Sequence, residues 1–291
     1  MTFTADLLFK AQNDLGEGPL WHPKEKCLYW LDIVSGDIYQ SNQDISTFKK
    51  SHFNTMIGSF GFLEKGGLIL ATNEGFAYWM PDRSEVDTIW NPLPRRENVR
   101  MNDGKVDLMG RFWAGSMDPE RQEGELYRLD PDRSQHTLLH HIGISNGIGW
   151  SPDQETMYFT DSMQYTIFAF DFDLDSGAIT NQRTFIELPK DGREIVPDGL
   201  CVDAEGCIWS AHWNGWEIVR YDPKGNPILK INVPAQRVTS CCFGGENLDQ
   251  LFITSSRGDL PQKDLGNQPS AGDVFIYQTN TRGQPANFFG K

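Results

Sequence analysis

GKVDLMGRFWAGSM, from Gly104 to Met117, reads as two short strands joined by a turn: a small residue and a brief run, an Asp- and Gly-containing turn, then FWAGSM. The same plan recurs as GPLWHPKEKCLYWLDI from Gly18, GFLEKGGLILATN from Gly61, GIGWSPDQETMYFTDS from Gly147, GLCVDAEGCIWSAHW from Gly199 and CCFGGENLDQLFITSSR from Cys241. Successive starts are 43, 43, 43, 52 and 42 residues apart. A period of this length, built from short strands with Gly, Asp and Pro turns, marks the four-stranded antiparallel blades of a propeller. Six copies predict an all-β, six-bladed β-propeller occupying 1–291 as a single domain. A β-sandwich would also have many short strands, but it gives no reason for three consecutive spacings of 43.

Working outward, further strands are expected at ELYRLD (Glu125 to Asp130), TIFAFDFD (Thr166 to Asp173) and EIVRYDPKG (Glu217 to Gly225), and helical periodicity is nearly absent. The sixth repeat has GDVFIYQ (Gly272 to Gln278) as its third strand and little after it, so ADLLFKAQ (Ala5 to Gln12) is expected to close the ring and remove its exposed edges. DFDLDSG (Asp171 to Gly177) has the look of a calcium loop. It carries Ser176 where such a loop needs Gly and Gln182 where it needs Glu, so it reads as a hairpin turn.

Composition narrows the function. The chain has 291 residues with 26 Lys+Arg against 40 Asp+Glu, a net charge of −14, which argues against a nucleic-acid partner. No run approaches the roughly 18 to 20 apolar residues of a membrane helix, and MTFTADLLFK has neither a basic leader nor a signal-length apolar stretch. The expectation is a soluble, cytoplasmic protein with no membrane partner. Cys27, Cys201, Cys207, Cys241 and Cys242 match no zinc spacing, and a vicinal pair is awkward for a disulfide, so free thiols are expected.

The residue before each repeat start falls at one register: Glu17, Phe60, Asp103, Asn146, Asp198 and Ser240. The first strand of a propeller blade lines the central channel, so these positions converge at its mouth. Singly, Asp, Asn or Glu before Gly is an ordinary turn residue. Together, two aspartates, a glutamate and an asparagine need a cation or protons to neutralise them. An oxygen-only set favours a hard divalent ion, Ca²⁺ first, with Mg²⁺, Mn²⁺, Zn²⁺ or Fe²⁺ as alternatives.

The stretches LGEGPLW (Leu15 to Trp21), RMNDGKVDLMGRFWAGSM (Arg100 to Met117), SNGIGWSPD (Ser145 to Asp153), PDGLCVDAEGCIW (Pro197 to Trp209) and TSCCFGG (Thr239 to Gly245) resemble the senescence-marker-protein/gluconolactonase/regucalcin family. That resemblance implies a six-bladed propeller hydrolysing sugar-acid lactones with one divalent metal. Its EGP, SNG and PDG motifs imply metal ligands at Glu17, Asn146 and Asp198. Its RxND motif implies substrate contacts at Arg100 and Asn102, and the acid after the third-blade GSM implies another at Glu120. The chain departs from the animal members at AHWNGW (Ala211 to Trp216), which places His212 and Trp213 where those members are less bulky and lack the histidine.

Lactone opening needs a water nucleophile, an acceptor for its proton and stabilisation of the carbonyl oxygen, the first and third of which a divalent cation promotes. Asp198 can ligate and accept the proton, with Asp103 the competing base. Arg100 and Asn102, two apart on an extended segment, project to one side and suit the hydroxyls of a sugar lactone. His212 reads as a partner of the site or a packed histidine, and Trp213 as a pocket wall. A phosphotriesterase on the same metal and a non-enzymatic calcium-binding propeller are the competing functions. A polar mouth carrying Arg100 and Asn102 favours the enzyme.

Overall fold

The computed structural model describes residues 3–81, 86–93 and 99–290. Apart from a three-residue 3-10 turn (Ser162–Gln164) and a four-residue helix (Gln262–Leu265), all of its regular structure is strand. Six antiparallel sheets form the blades, numbered 1 to 6 in chain order. Their inner strands are Gly16–His22, Ile57–Leu63, Arg100–Val106, Ser145–Trp150, Val196–Val202 and Arg237–Gly244. Each packs on the inner strands of its neighbours, and blade 6 meets blade 1 to close a six-bladed propeller. Three of the expected strands fall at Gly124–Leu129, Thr166–Phe172 and Glu217–Tyr221.

Each blade is a middle layer, so its strands bury both faces. In blade 2, Leu68 and Leu70 pack with Leu31, Ile33 and Ile38 of blade 1, whereas Ile69 and Ala71 turn the other way onto Phe112 and Ala114 of blade 3. Alternate residues thus serve different cores, which is why the second strand LILAT is almost wholly apolar. Each fully buried side chain of this kind contributes roughly 1.5–3 kcal/mol. The outer strands alternate less and carry charge, as in the fully exposed Phe48–His52.

Asp6–Phe9 pairs antiparallel with Val274–Gln278 and supplies the fourth strand of blade 6, as the short sixth repeat requires. Phe3–Thr4 continues onto the outer strand of blade 5. At the other end of the chain, Phe288–Phe289 runs parallel to the inner strand of blade 2. The stretch before it crosses the base of the channel: Gln284 Nε2 donates to Trp150 O and Val202 O, and Asn287 Nδ2 to Val106 O. Above this plug the channel holds a cavity of about 180 Å³.

The DFDLDSG segment is a hairpin turn. Its carbonyls at Leu174, Asp175, Ser176 and Gly177 accept hydrogen bonds from Arg111 and Arg128, so guanidinium groups stand where a calcium loop would put its ion. All five cysteines are free and buried. Among the described residues no helix is long and apolar enough to cross a membrane.

Candidate active site

Every inner strand has one residue more than its partner and bulges near its mouth end: at Gly18–Pro19, Gly58, Asn102–Asp103, Gly147, Asp198–Gly199 and Thr239. A bulge bends the strand and re-aims the side chains beside it. Glycine is needed at two of these turns in particular. Gly18 takes a φ of +53°, and a Cβ on Gly199 would stand 2.1 Å from Ser240 Oγ of the next blade.

The bulges correct one expected register. Trp113 and Trp209 each donate Nε1 to an aspartate in their hairpin, Asp107 at 2.8 Å and Asp203 at 2.9 Å, which aligns blades 3 and 5. Five residues before these aspartates stand Asn102 and Asp198. The counterpart of Asp198 is therefore Asn102, and Asp103 lies one place deeper along the strand. Gly58 and Thr239, rather than Phe60 and Ser240, hold the bulges of blades 2 and 6.

The side chains converge nonetheless. Asn102 Nδ2 donates to Asn146 Oδ1 at 3.0 Å and to Ser145 O at 2.7 Å, joining blades 3 and 4. Asn146 Nδ2 donates to Ser162 Oγ, whose own proton goes to Pro197 O, the residue before Asp198. This relay fixes which way the Asn146 amide faces and ties it to blade 5. Two aspartates pin the strand entrances from the second strands: Asp32 accepts the N–H groups of Asp14 and Leu15, and Asp161 those of Gly143 and Ile144.

Electrostatics single out the acids. Burial, then the nearby Asp103, pushes the Glu17 carboxyl up to about 8, against a hydrogen bond from Gly18 N at 2.8 Å. Burial, then Glu17 and Asp103, raises Asp198 as well. Asp103 is raised by burial, against the Lys105 ammonium and a bond from Gly104 N. Lys105, which no motif singles out, reaches from blade 3 beneath the ring to Leu200 O at 2.9 Å. Arg100 donates Nη1 to Asn102 Oδ1 and to Met101 O. Burial lowers its pKa to about 10, while Glu17 and Asp198 hold the proton on. Two buried carboxylates and an oriented amide oxygen, pressed together from three blades, fit a hard divalent cation.

The outer candidates divide. Glu120 is exposed on the turn after Phe112–Met117, at the same end as Arg100, whose partner is Met117. Trp213 lies at the mouth end of Ile208–Trp213, beneath the Arg237 guanidinium at 4.8 Å. His212 is a correction: it is 3% exposed, and its ring nitrogens face Glu217 Oε1 at 3.1 Å and the Tyr221 hydroxyl at 3.2 Å inside blade 5. Neighbours on a strand leave opposite faces, so His212 cannot share the mouth with Trp213. Asp203, Glu205 and Cys207 also bring ligand atoms within 4.8 Å of one another. Asp203 there accepts five hydrogen bonds, from Trp209, Arg220 and two backbone amides, which uses up its lone pairs.

Comparison with known proteins adds the following. The family described as SMP-30/Gluconolactonase/LRE-like region matches residues 15–257. Regucalcin of Danio rerio is 34% identical over 277 residues, 93% of this chain and 92% of its own; the Homo sapiens protein of that name is 34% identical over 89% of each. A luciferin-regenerating enzyme superposes with a TM-score of 0.91 at 25% identity, covering 99% of both chains. A calcium-binding protein, regucalcin, from Agrobacterium tumefaciens gives 0.93 at 24% identity over 99% and 98%. A gluconolactonase from Xanthomonas campestris gives 0.72 at 22% over 94% and 88%.

Proposed function

The chain belongs to the SMP-30/gluconolactonase/LRE-like family, and on that premise we propose that it hydrolyses a sugar-acid lactone to the free acid, with one divalent cation held by Glu17, Asn146 and Asp198. The observation that carries this reading is the gathering of Asp198, at the bulge of blade 5, and of Glu17 and Asn146, each one residue before the bulge of its blade, around Arg100 and Asn102, in a channel mouth where burial leaves the acids short of counter-charge. A cation held there would supply Lewis acidity, polarising a carbonyl oxygen and easing deprotonation of water.

The chain's own residues do the rest. Asp198 accepts the proton of the attacking water as its oxygen bonds to the lactone carbonyl carbon. Collapse of the tetrahedral intermediate breaks the bond from that carbon to the ring oxygen, which takes the proton and leaves as the hydroxyl of the product acid. Arg100 offers its guanidinium to the substrate from one side of the mouth. Asn102, whose amide hydrogens are spent on Ser145 and Asn146, orients Arg100 and the Asn146 ligand.

Aldonolactones assayed by acid release test this, using protein stripped with chelator and reloaded with calcium, magnesium, manganese, zinc or iron in turn. Lactones are opened in preference to aryl phosphotriesters, because each hydrogen bond from Arg100 to a sugar hydroxyl is worth roughly 1.5–3 kcal/mol. A kcat/KM for phosphotriesters above that of every lactone overturns the assignment. Ser162 positions the Asn146 ligand, so Ser162→Ala weakens calcium binding by roughly 10- to 100-fold in a calorimetric titration. Unchanged affinity would remove Asn146 from the ligand set or Ser162 from its support.

A further inference from the structure

We propose that Arg237, braced by Trp213, makes this mouth select lactones that carry a carboxylate at the end of the molecule away from the ring carbonyl. The inference rests on the lactone-site reading above and deepens it.

Arg237 is the counterpart of Arg100. Arg100 pairs with Met117, which bridges to Ile144 at the start of blade 4; Arg237 pairs with Ser256, which bridges to Leu15 at the start of blade 1. Blades 3 and 6 lie opposite each other in a six-membered ring, so the two arginines flank the mouth from opposite sides. Arg237 stands two residues before the Thr239 bulge, which at roughly 3.3 Å per residue sets its backbone about 7 Å outward of the ligand ring.

The two guanidinium groups differ in what holds them. Arg100 is tied to Asn102 and sits in the field of Glu17 and Asp198. Arg237 donates Nη1 to Gly258 O and holds its guanidinium carbon over the Trp213 ring, 4.8 Å from the ring centre. Its Nε is buried and has no acceptor. Asp259, the carboxylate whose field it feels, forms no ion pair with it. Among the described residues Arg237 makes no ion pair, in a chain of net charge −14. The Nε–Nη2 edge is the geometry that grips a carboxylate bidentately, and the contact with the indole restrains the guanidinium at the mouth. A buried N–H carries its desolvation cost until an acceptor arrives, so an incoming carboxylate gains more here than at an exposed arginine.

The test compares an aldonolactone, the monolactone of the corresponding aldaric acid with its free carboxylate, and a phosphorylated aldonolactone, on the metal-loaded full chain. The unaltered protein should favour the carboxylate lactone in kcat/KM, chiefly through KM. Arg237→Met should lower the ratio of carboxylate to neutral kcat/KM by roughly tenfold or more, with Arg237→Lys in between. An unchanged ratio overturns the proposal, as does an unaltered protein without preference, which decides the matter even if the variants fail to fold. Preference for the phosphorylated lactone overturns the carboxylate assignment. Calorimetric titration with the open-chain aldarate and aldonate needs no turnover. Tighter aldarate binding that Arg237→Met abolishes supports the subsite even if no lactone is opened, whereas lactones opened without discrimination uphold hydrolysis and sink Arg237.

Discussion

Asp198→Asn lowers kcat by roughly 10²- to 10⁴-fold at saturating divalent cation while the protein still binds about one equivalent of metal. The asymmetry follows from the amide. Asn keeps a carbonyl oxygen that a hard cation accepts, but it cannot take a proton at neutral pH, and general-base catalysis is worth about that factor. Asp103→Asn is the control. Asp103 shares the electrostatic environment of Glu17 and Asp198 but sits one residue deeper than the position of Asp198, with Lys105 as its counter-charge. Its replacement therefore costs less. Metal content and kcat are measured together on both variants, so that weak binding is not read as lost chemistry. A metal-replete Asp198→Asn protein with near-normal kcat, beside an inactive Asp103→Asn, would move the base to Asp103.

The stabilisation given by a divalent cation grows from near nothing at pH 5 to roughly 10 °C in melting temperature at pH 8.5, with the ion at about a thousand times its Kd. In the metal-free protein Glu17 is raised from the ordinary carboxylate range to about 8, and Asp198 and Asp103 are raised in the same direction. A group raised on folding stabilises the fold below its unfolded pKa, and that contribution is lost as pH climbs through the folded one. The metal-free protein thus loses stability between about pH 4.5 and 8, because three acids ionise in one buried mouth. A cation competes with those protons, so its affinity rises across the same window. Thermal melts with chelator and with calcium, from pH 5 to 8.5, check the trend. A gap that does not change with pH would show that these acids are not where the ion binds.

The fold was legible because a blade is buried on both faces, which makes LILAT and its equivalents largely apolar on both faces and repeats that constraint at each turn of the ring. Closure by the N-terminal segment was legible for the complementary reason that the sixth repeat lacks a strand. The site was harder to read. The glycines that mark the repeats lie at bulges in blades 1, 4 and 5 but beyond them in blades 2 and 3, and a bulge shifts pairing by one residue without leaving a mark in the pattern, so Asp103 aligned with Asp198 when the backbone aligns Asn102. The sequence leaves His212 open between a partner of the site and a packed histidine, and strand geometry decides for packing, with Trp213 at the mouth. Ser162 and Lys105 gave no signal, because their roles depend on contacts to blade 5 that only the packing of blades together creates.

The two ends of the chain also govern how the molecule reaches this state. Blade 6 is complete only when Asp6–Phe9 finds Val274–Gln278, and Gln12 N reaches Asp273 across 261 residues of sequence. A ribosome releasing the chain from its N-terminus must therefore leave the first strand without its partner until nearly the last residue has emerged. Pairings so distant in sequence are slow to form, and an unpaired apolar strand edge is the species that aggregates. The contact that seals the ring is thus the step at which chaperone dependence and yield on refolding are decided. A circular permutant opened in the blade 1 turn near Lys24 would make the pairing within blade 6 local and move the sequence-distant closure to blade 1, between Gly16–His22 and Cys27–Asp32.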